Sequence, residues 1–134
     1  MTNIEKVNEV LNSAKLFYIV TVDGNKPKSR PVTFKMLEGD KLYFGLGTFK
    51  DSFKQLEANK NVEIIGCSGA KWIRYDGSAH FVLDDDDLEE RALNTMPAIK
   101  KIYTQNGWKL GLFYLENAHA EIKNVAETVD EFDL

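Results

Sequence analysis

The stretch LFYIVTVDGNKPKSRPVTF, Leu16 to Phe34, decides how this chain reads. Its first half, Leu16 to Val22, is rich in β-branched and aromatic residues, which favour a pleated, half-buried backbone. Asp23-Gly24 then supplies a hairpin signal, so the strand turns and pairs with the chain that follows it. In the returning strand Lys26, Lys28 and Arg30 stand two apart and project from one face. Lys26 and Lys28 read equally well as edge-strand lysines that discourage aggregation. Arg30 differs, because it leads directly into Pro31-Val32-Thr33-Phe34, where apolar residues take over. An arginine at the mouth of a core suits bidentate binding of phosphate or carboxylate.

Outward from this hairpin the pattern is mainly β. Before it, Ile4, Val7, Val10, Leu11 and Ala14 recur at helical spacing, with Thr2 or Asn3 placed to cap. After it, the second strand is expected from about Lys28 to Leu37, and a third at Lys41 to Gly45. A short helix begins near Lys50, with Phe49, Phe53 and Leu56 on one face, and Asn59-Lys60-Asn61 ends it. Further strands are expected over Val62–Cys67 and from about Lys71 to Leu83, with a final strand or strand pair from about Trp108 to Lys123. In the last of these Leu110, Leu112 and Tyr114 face one way, Phe113 and Leu115 the other. The aspartates at 84 to 87 open a helix that Met96-Pro97 breaks, and Ala98 to Tyr103 adds another turn or two. The acidic segment Glu127 to Asp133 is expected to fray. About six strands joined mainly by hairpins, with inserted helices, predict an antiparallel barrel of Greek-key type with peripheral helices rather than a βαβ alternation.

Bulk properties narrow the function classes. The 134 residues make one domain, 1–134, with 43% hydrophobic and 28% charged residues, ordinary for a globular core. The lone Cys67 cannot form an internal disulfide, and no signal peptide or membrane span is visible, so a soluble cytoplasmic protein is expected. A net charge of −4 argues against a nucleic-acid binder, which needs a basic face, but not against a small anionic ligand held by a few local cations. His80, His119 and Cys67 show no metal-ligand spacing, so no metal site is expected. Cys67, inside a β-run, reads as a core residue.

Two further segments bear on a ligand. Gly47-Thr48-Phe49-Lys50 joins a strand end to a helix start, where free backbone N–H groups and the helix dipole favour an anion. Thr48 adds a hydroxyl and Lys50 a charge, although Thr48 is equally placed to cap the helix with no ligand present. Combined with Arg30, this segment becomes one of two convergent phosphate-binding elements. In Lys71-Trp72-Ile73-Arg74-Tyr75-Asp76-Gly77, Trp72, Arg74 and Asp76 share one face. Trp72 either fills the barrel or flanks a planar ring, and Arg74 and Asp76 are able to pair with each other.

Taken in order, Arg30 to Phe34, Tyr43 to Lys50 running on through Gln55 to Glu63, and Trp72 to Gly77 resemble the pyridoxamine 5'-phosphate oxidase-like FMN-binding split barrels. The resemblance covers about residues 5 to 123. It implies that Arg30 and Lys50 grip the FMN phosphate, that Thr48 and Phe49 line the same loop, and that Val32 and Thr33 approach the ring edge through backbone groups. It also implies a homodimer with the cofactor at the subunit interface, where Trp72 and Arg74 serve either their own or the partner's flavin and Trp72, Phe113 and Tyr114 form the seam. Gln55 reads as structural. True pyridoxamine phosphate oxidases carry a basic C-terminal extension, whereas residues 127–134 here are acidic, so the resemblance supports the cofactor better than that substrate. The reading is an FMN-dependent oxidoreductase acting on an unidentified small molecule, with no catalytic residue assigned. The alternatives are a flavin sensor or store without turnover, and an apo-barrel scaffold.

Overall fold

The computed structural model describes all residues, 1–134. Helix α1 (Asn3–Ala14) starts with a reciprocal cap: the Thr2 hydroxyl accepts from the Glu5 amide while the Glu5 carboxylate accepts from the Thr2 amide. Its apolar stripe buries Val7 and Leu11 completely. The hairpin β1 (Phe17–Asp23) and β2 (Lys26–Val32) forms as its sequence requires, pairing Val22 with Pro27 and Ile19 with Arg30 across the turn. Residues 33–35 leave the ladder, and the chain resumes as β3 (Met36–Glu38), which pairs with β4 (Lys41–Gly47). The single strand expected over Lys28–Leu37 is therefore two.

Helix α2 (Asp51–Ala58) carries the chain from β4 to β5 (Asn61–Ser68). Strands β5, β6 (Lys71–Val82) and β7 (Leu110–Lys123) form a meander, interrupted between β6 and β7 by α3 (Asp86–Asn94) and α4 (Pro97–Asn106). Asp85 caps α3 by accepting from the Leu88 amide, and Pro97 occupies the first turn of α4, where its missing N–H matters least. The strand order is β2-β1-β5-β6-β7-β4-β3, all antiparallel. Because β7 returns to lie beside β4, the unit from β4 to β7 is a Greek key. The hydrogen-bonded path stays open at β2 and β3, yet the sheet rolls far enough to set Phe17 of β1 against Phe44 of β4, ring centroids 5.8 Å apart. This is the rolled, mainly β architecture read from the sequence.

Two cores lie on opposite faces of β7. Phe113 and Leu115 join Phe17, Ile19, Phe44, Ile64, Ile73 and Tyr75 inside the roll, while Leu110 and Leu112 pack under Leu88, Ala92, Leu93 and Tyr103 of α3 and α4. Each fully buried side chain of this size contributes about 1.5–3 kcal/mol. Phe113 is 0% exposed, so it belongs to the core and to no subunit seam.

Three further expectations are corrected. Cys67 is exposed, because β5 alternates and Cys67 lies on its outer face. Thr48 does not cap α2; Lys50 holds the cap position, and Thr48 donates its amide and hydroxyl to the Lys109 carbonyl. The acidic C-terminal segment does not fray: Asn124 accepts from the amides of Ala126 and Glu127, and β8 (Thr128–Asp133) returns to pair with β7. Phe132 packs against the core, and Asp130 pairs with Lys6 of α1 at 3.4 Å. There are thus eight strands rather than about six.

The β6–β7 ladder changes register between Asp76 and Ser78, where Gly77 faces Asn117 and Ala118, and Asn117 adopts a φ of 49°. A Cβ on Gly77 would lie 2.7 Å from the Glu116 carbonyl oxygen, a backbone atom that cannot step aside. Gly77→Val is expected to lower stability by about 1–3 kcal/mol, read as a lower urea midpoint with the flanking core unchanged.

Candidate functional site

A cleft of about 530 Å3 opens where the end of β2, the end of β4, the start of α2 and helix α4 meet. Arg30, Val32, Thr33, Lys50, Ser52, Gln55 and Tyr103 are among its lining residues. The hairpin delivers Arg30, and α2, inserted between β4 and β5, delivers Lys50 and Gln55. These segments are separated in sequence and converge because β4 and β1 lie on opposite sides of the roll.

The Arg30 guanidinium is tightly held. One terminal nitrogen donates to the Ile19 carbonyl at 3.1 Å and to the Thr21 hydroxyl at 2.8 Å, and the other donates to the Gln55 side-chain oxygen at 3.0 Å. Thr21, with 0% exposure, also donates its hydroxyl to the same Gln55 oxygen at 2.8 Å. All three acceptors are neutral, and Arg30 makes no ion pair, nor does Lys50. Burial lowers the Arg30 pKa from its ordinary value, so the positive charge is destabilised where it sits and no carboxylate compensates it. The one carboxylate in the lining is that of Asp51, beside Lys50 in the first turn of α2.

Lys50 caps α2 by backbone position alone; no side chain caps the free amides of that helix. They present partial positive charge toward the same cleft, beside the two cations. The donors suit a compact, multiply charged oxyanion such as a phosphate monoester. Residues 33–35 lie outside any strand, which leaves the backbone around Thr33 free of the ladder at the cleft edge. Tyr103 lines the opposite wall, and burial raises its hydroxyl pKa.

The other residues singled out in the sequence fall elsewhere. Phe49 stacks on Trp108 with centroids 4.1 Å apart and meets Tyr103 edge-on at 5.7 Å, an aromatic group at the rim of the cleft. Gly47 makes this packing possible, since a Cβ there would lie 2.6 Å from the Phe49 ring and 2.7 Å from the Tyr103 hydroxyl. Thr48 faces the start of β7. Trp72 and Arg74 lie on the outer face of β6, outside this cleft: Arg74 stands over the Trp72 ring at 5.2 Å and pairs with Glu63 at 3.1 Å, not with Asp76. Sequence reading missed Thr21 and placed Gln55 only as structural. Thr21 alternates inward with Phe17 and Ile19, so a hydroxyl on the apolar face of β1 was the available signal.

The sequence model described as pyridoxamine 5'-phosphate oxidase matches residues 4–124, and the chain belongs to that family. Among solved structures, a NimC/NimA family protein from Clostridium acetobutylicum superposes with a TM-score of 0.87 at 27% identity, over 100% of this chain and 95% of that one. A pyridoxamine 5'-phosphate oxidase-related, FMN binding protein from Nostoc punctiforme gives a TM-score of 0.66 at 14% identity, over 99% and 90% of the two chains. A heme binding protein from Mycobacterium smegmatis gives 0.72 at 15% identity, over 99% of this chain and 58% of that one. The last two likenesses show the fold alone. No curated protein matches the chain. No helix is long and apolar enough to cross a membrane.

Thr21→Val removes the hydroxyl that bridges Arg30 and Gln55 while keeping the shape of the side chain. It is expected to cost about 1–3 kcal/mol of stability, since a half-buried guanidinium loses an acceptor, and urea unfolding beside the wild type measures it.

Proposed function

We propose that this chain is an FMN-binding flavoprotein that works as a homodimeric oxidoreductase on a small molecule. The observation that carries the reading is the Arg30 guanidinium, half-buried, fixed by three neutral oxygens and lacking any carboxylate partner, beside Lys50 and the uncapped start of α2. Together they line one cleft with two cations and a helix N-terminus, the charge balance that a terminal phosphate monoester requires. Family membership and the FMN binding protein from Nostoc punctiforme support the choice of FMN.

In this reading Arg30 and Lys50 hold the phosphate, and Thr21 and Gln55 hold Arg30. Val32 and Thr33 meet the ring edge with backbone groups, and Thr48 and Phe49 shape the loop that bears Lys50. Bound FMN supplies the two-electron redox chemistry, while the protein binds, orients and shields it. A second subunit would close the cleft on its open side, where Phe49, Ile99 and Trp108 are each 36–39% exposed. Trp72 and Arg74, remote from Arg30 in their own chain, are assigned to the partner's flavin, with Trp72 and Tyr114 at the seam.

A flavin store or sensor without turnover is the second reading. The composition of the cleft favours it, since the lining offers no histidine and no paired acid and base.

Protein purified without added cofactor, or reconstituted with FMN, should show the visible flavin bands; a chain that stays colourless with excess FMN rejects the flavin reading. Arg30→Ala with Lys50→Ala should weaken FMN binding by about 100-fold or more, as expected for two lost charge-assisted contacts, measured by flavin fluorescence titration. Light scattering should give the mass of two chains, and a monomer at micromolar concentration would remove the dimer. Bleaching of bound FMN by NAD(P)H, followed by turnover with an acceptor, separates enzyme from store.

A further inference from the structure

The outer face of the β7–β8 pair gathers a side-chain cluster that plays no part in the cleft. In register, His119 stands opposite Asp133 and Glu121 stands opposite Glu131. Residues two apart on a strand share a face, so one imidazole and three carboxylates project together. Ligating atoms of His119, Glu121 and Glu131 all lie within 4.8 Å of one another. That spacing lets small side-chain rotations bring them to the roughly 2.0–2.2 Å bond lengths of nitrogen and carboxylate ligands around a single zinc ion.

The imidazole itself points to a cation. His119 Nδ1 lies 2.7 Å from an Asp133 oxygen, and Nε2 lies 2.8 Å from a Glu131 oxygen. A neutral imidazole carries one N–H, so it can donate to only one of these carboxylates and would turn a lone pair toward the other. Either a second proton or a metal ion resolves that conflict. With a metal on Nε2, the Nδ1–H still donates to Asp133, which is the carboxylate–histidine–metal arrangement that orients a ligating histidine. The surrounding charge also favours a divalent cation. Asp76 of β6 lies opposite His119 and Arg74 is engaged by Glu63, whereas Lys123 meets Glu121 at 3.1 Å, so a bound metal would take Glu121 from that lysine. Linear spacing conceals the group, because Glu131 and Asp133 reach His119 only once β8 has folded back.

We propose that His119 Nε2, Glu121 and Glu131 bind one divalent transition-metal ion of the zinc type, with Asp133 orienting the imidazole, and that the ion fastens β8 to the sheet. Nitrogen and carboxylate donors suit zinc and its neighbours in the first transition row, and a three-ligand set leaves a position for water. The proposal stands independently of flavin binding.

The test is calorimetric titration of the full-length, chelator-treated chain with zinc at pH 7.5 in a weakly coordinating buffer. Hydrogen exchange of the β8 amides is followed with and without zinc. One zinc ion per chain and slower β8 exchange are expected. His119→Gln and Glu131→Gln should each abolish both effects, and Asp133→Asn should weaken binding about 10-fold or more. His80→Gln, at the separate His80–Glu116 pair, should change nothing. Circular dichroism of each variant checks that the sheet is retained, and Glu121→Gln gives a second ligand variant if His119→Gln releases β8. No zinc binding at this pH would overturn the proposal. Binding that survives both His119→Gln and Glu131→Gln would overturn it equally.

Discussion

Every part of this molecule depends on β7 finding hydrogen-bond partners along both edges. Its fourteen residues run against β6 on one side, while on the other side β4 serves the first half and β8 the second. An unpaired backbone group in such a buried strand would carry its full desolvation penalty, so the exchange of partners has to occur where the strand can bend. The bulge at Gly77 and Asn117 lies at that point. By bending β6 and β7 together it rolls the sheet, brings β4 across from β1 and creates one interior from strands far apart in sequence. The same strand divides its side chains between two cores, which ties the α3–α4 pair to the roll.

The cleft follows from that geometry. Because the chain must travel from β4 to β5 across one end of the roll, α2 is laid beside β1, where its Gln55 meets Arg30 and its N-terminus lines the same cleft. The protein is acidic as a whole, yet at this point two cations, a helix start and neutral acceptors meet with Asp51 as the only acid in the lining. The electrostatic character of the site is therefore local. It is set by Thr21 and Gln55, which immobilise a guanidinium without neutralising it; an acidic residue at either position would have made Arg30 a structural ion pair instead. The β7–β8 face has the opposite character, with carboxylates gathered around one histidine.

Local signals were readable wherever neighbours in sequence are neighbours in space. Asp23-Gly24 marks the first hairpin, Thr2 with Glu5 marks the start of α1, Asp85 caps α3, and the alternation through Leu110 to Leu115 sorts that strand between two cores. Arg30 and Lys50 were legible as cations at a strand end and a helix start. Thr21 was not, because a lone hydroxyl within Phe17 to Val22 acquires meaning only from Arg30 and Gln55. Phe113 passed for a seam residue because alternation separates two faces without saying that both are covered. The return of β8 was hidden for a related reason: an acidic segment resembles a solvated tail until Phe132 finds the core and Asp130 finds Lys6.

Residue type and spacing thus determined most of the strands, the helices, the caps of α1 and α3 and the cations available for an anion, since each of these rests on interactions within a few residues. Folding in three dimensions decided which cations converge, that Trp72 and Arg74 stand apart from Arg30, that Cys67 faces solvent, and that His119 meets Glu131 and Asp133. Those outcomes depend on sheet register and on the bend at Gly77, where contacts form between residues tens of positions apart, and no local pattern carries that distance information.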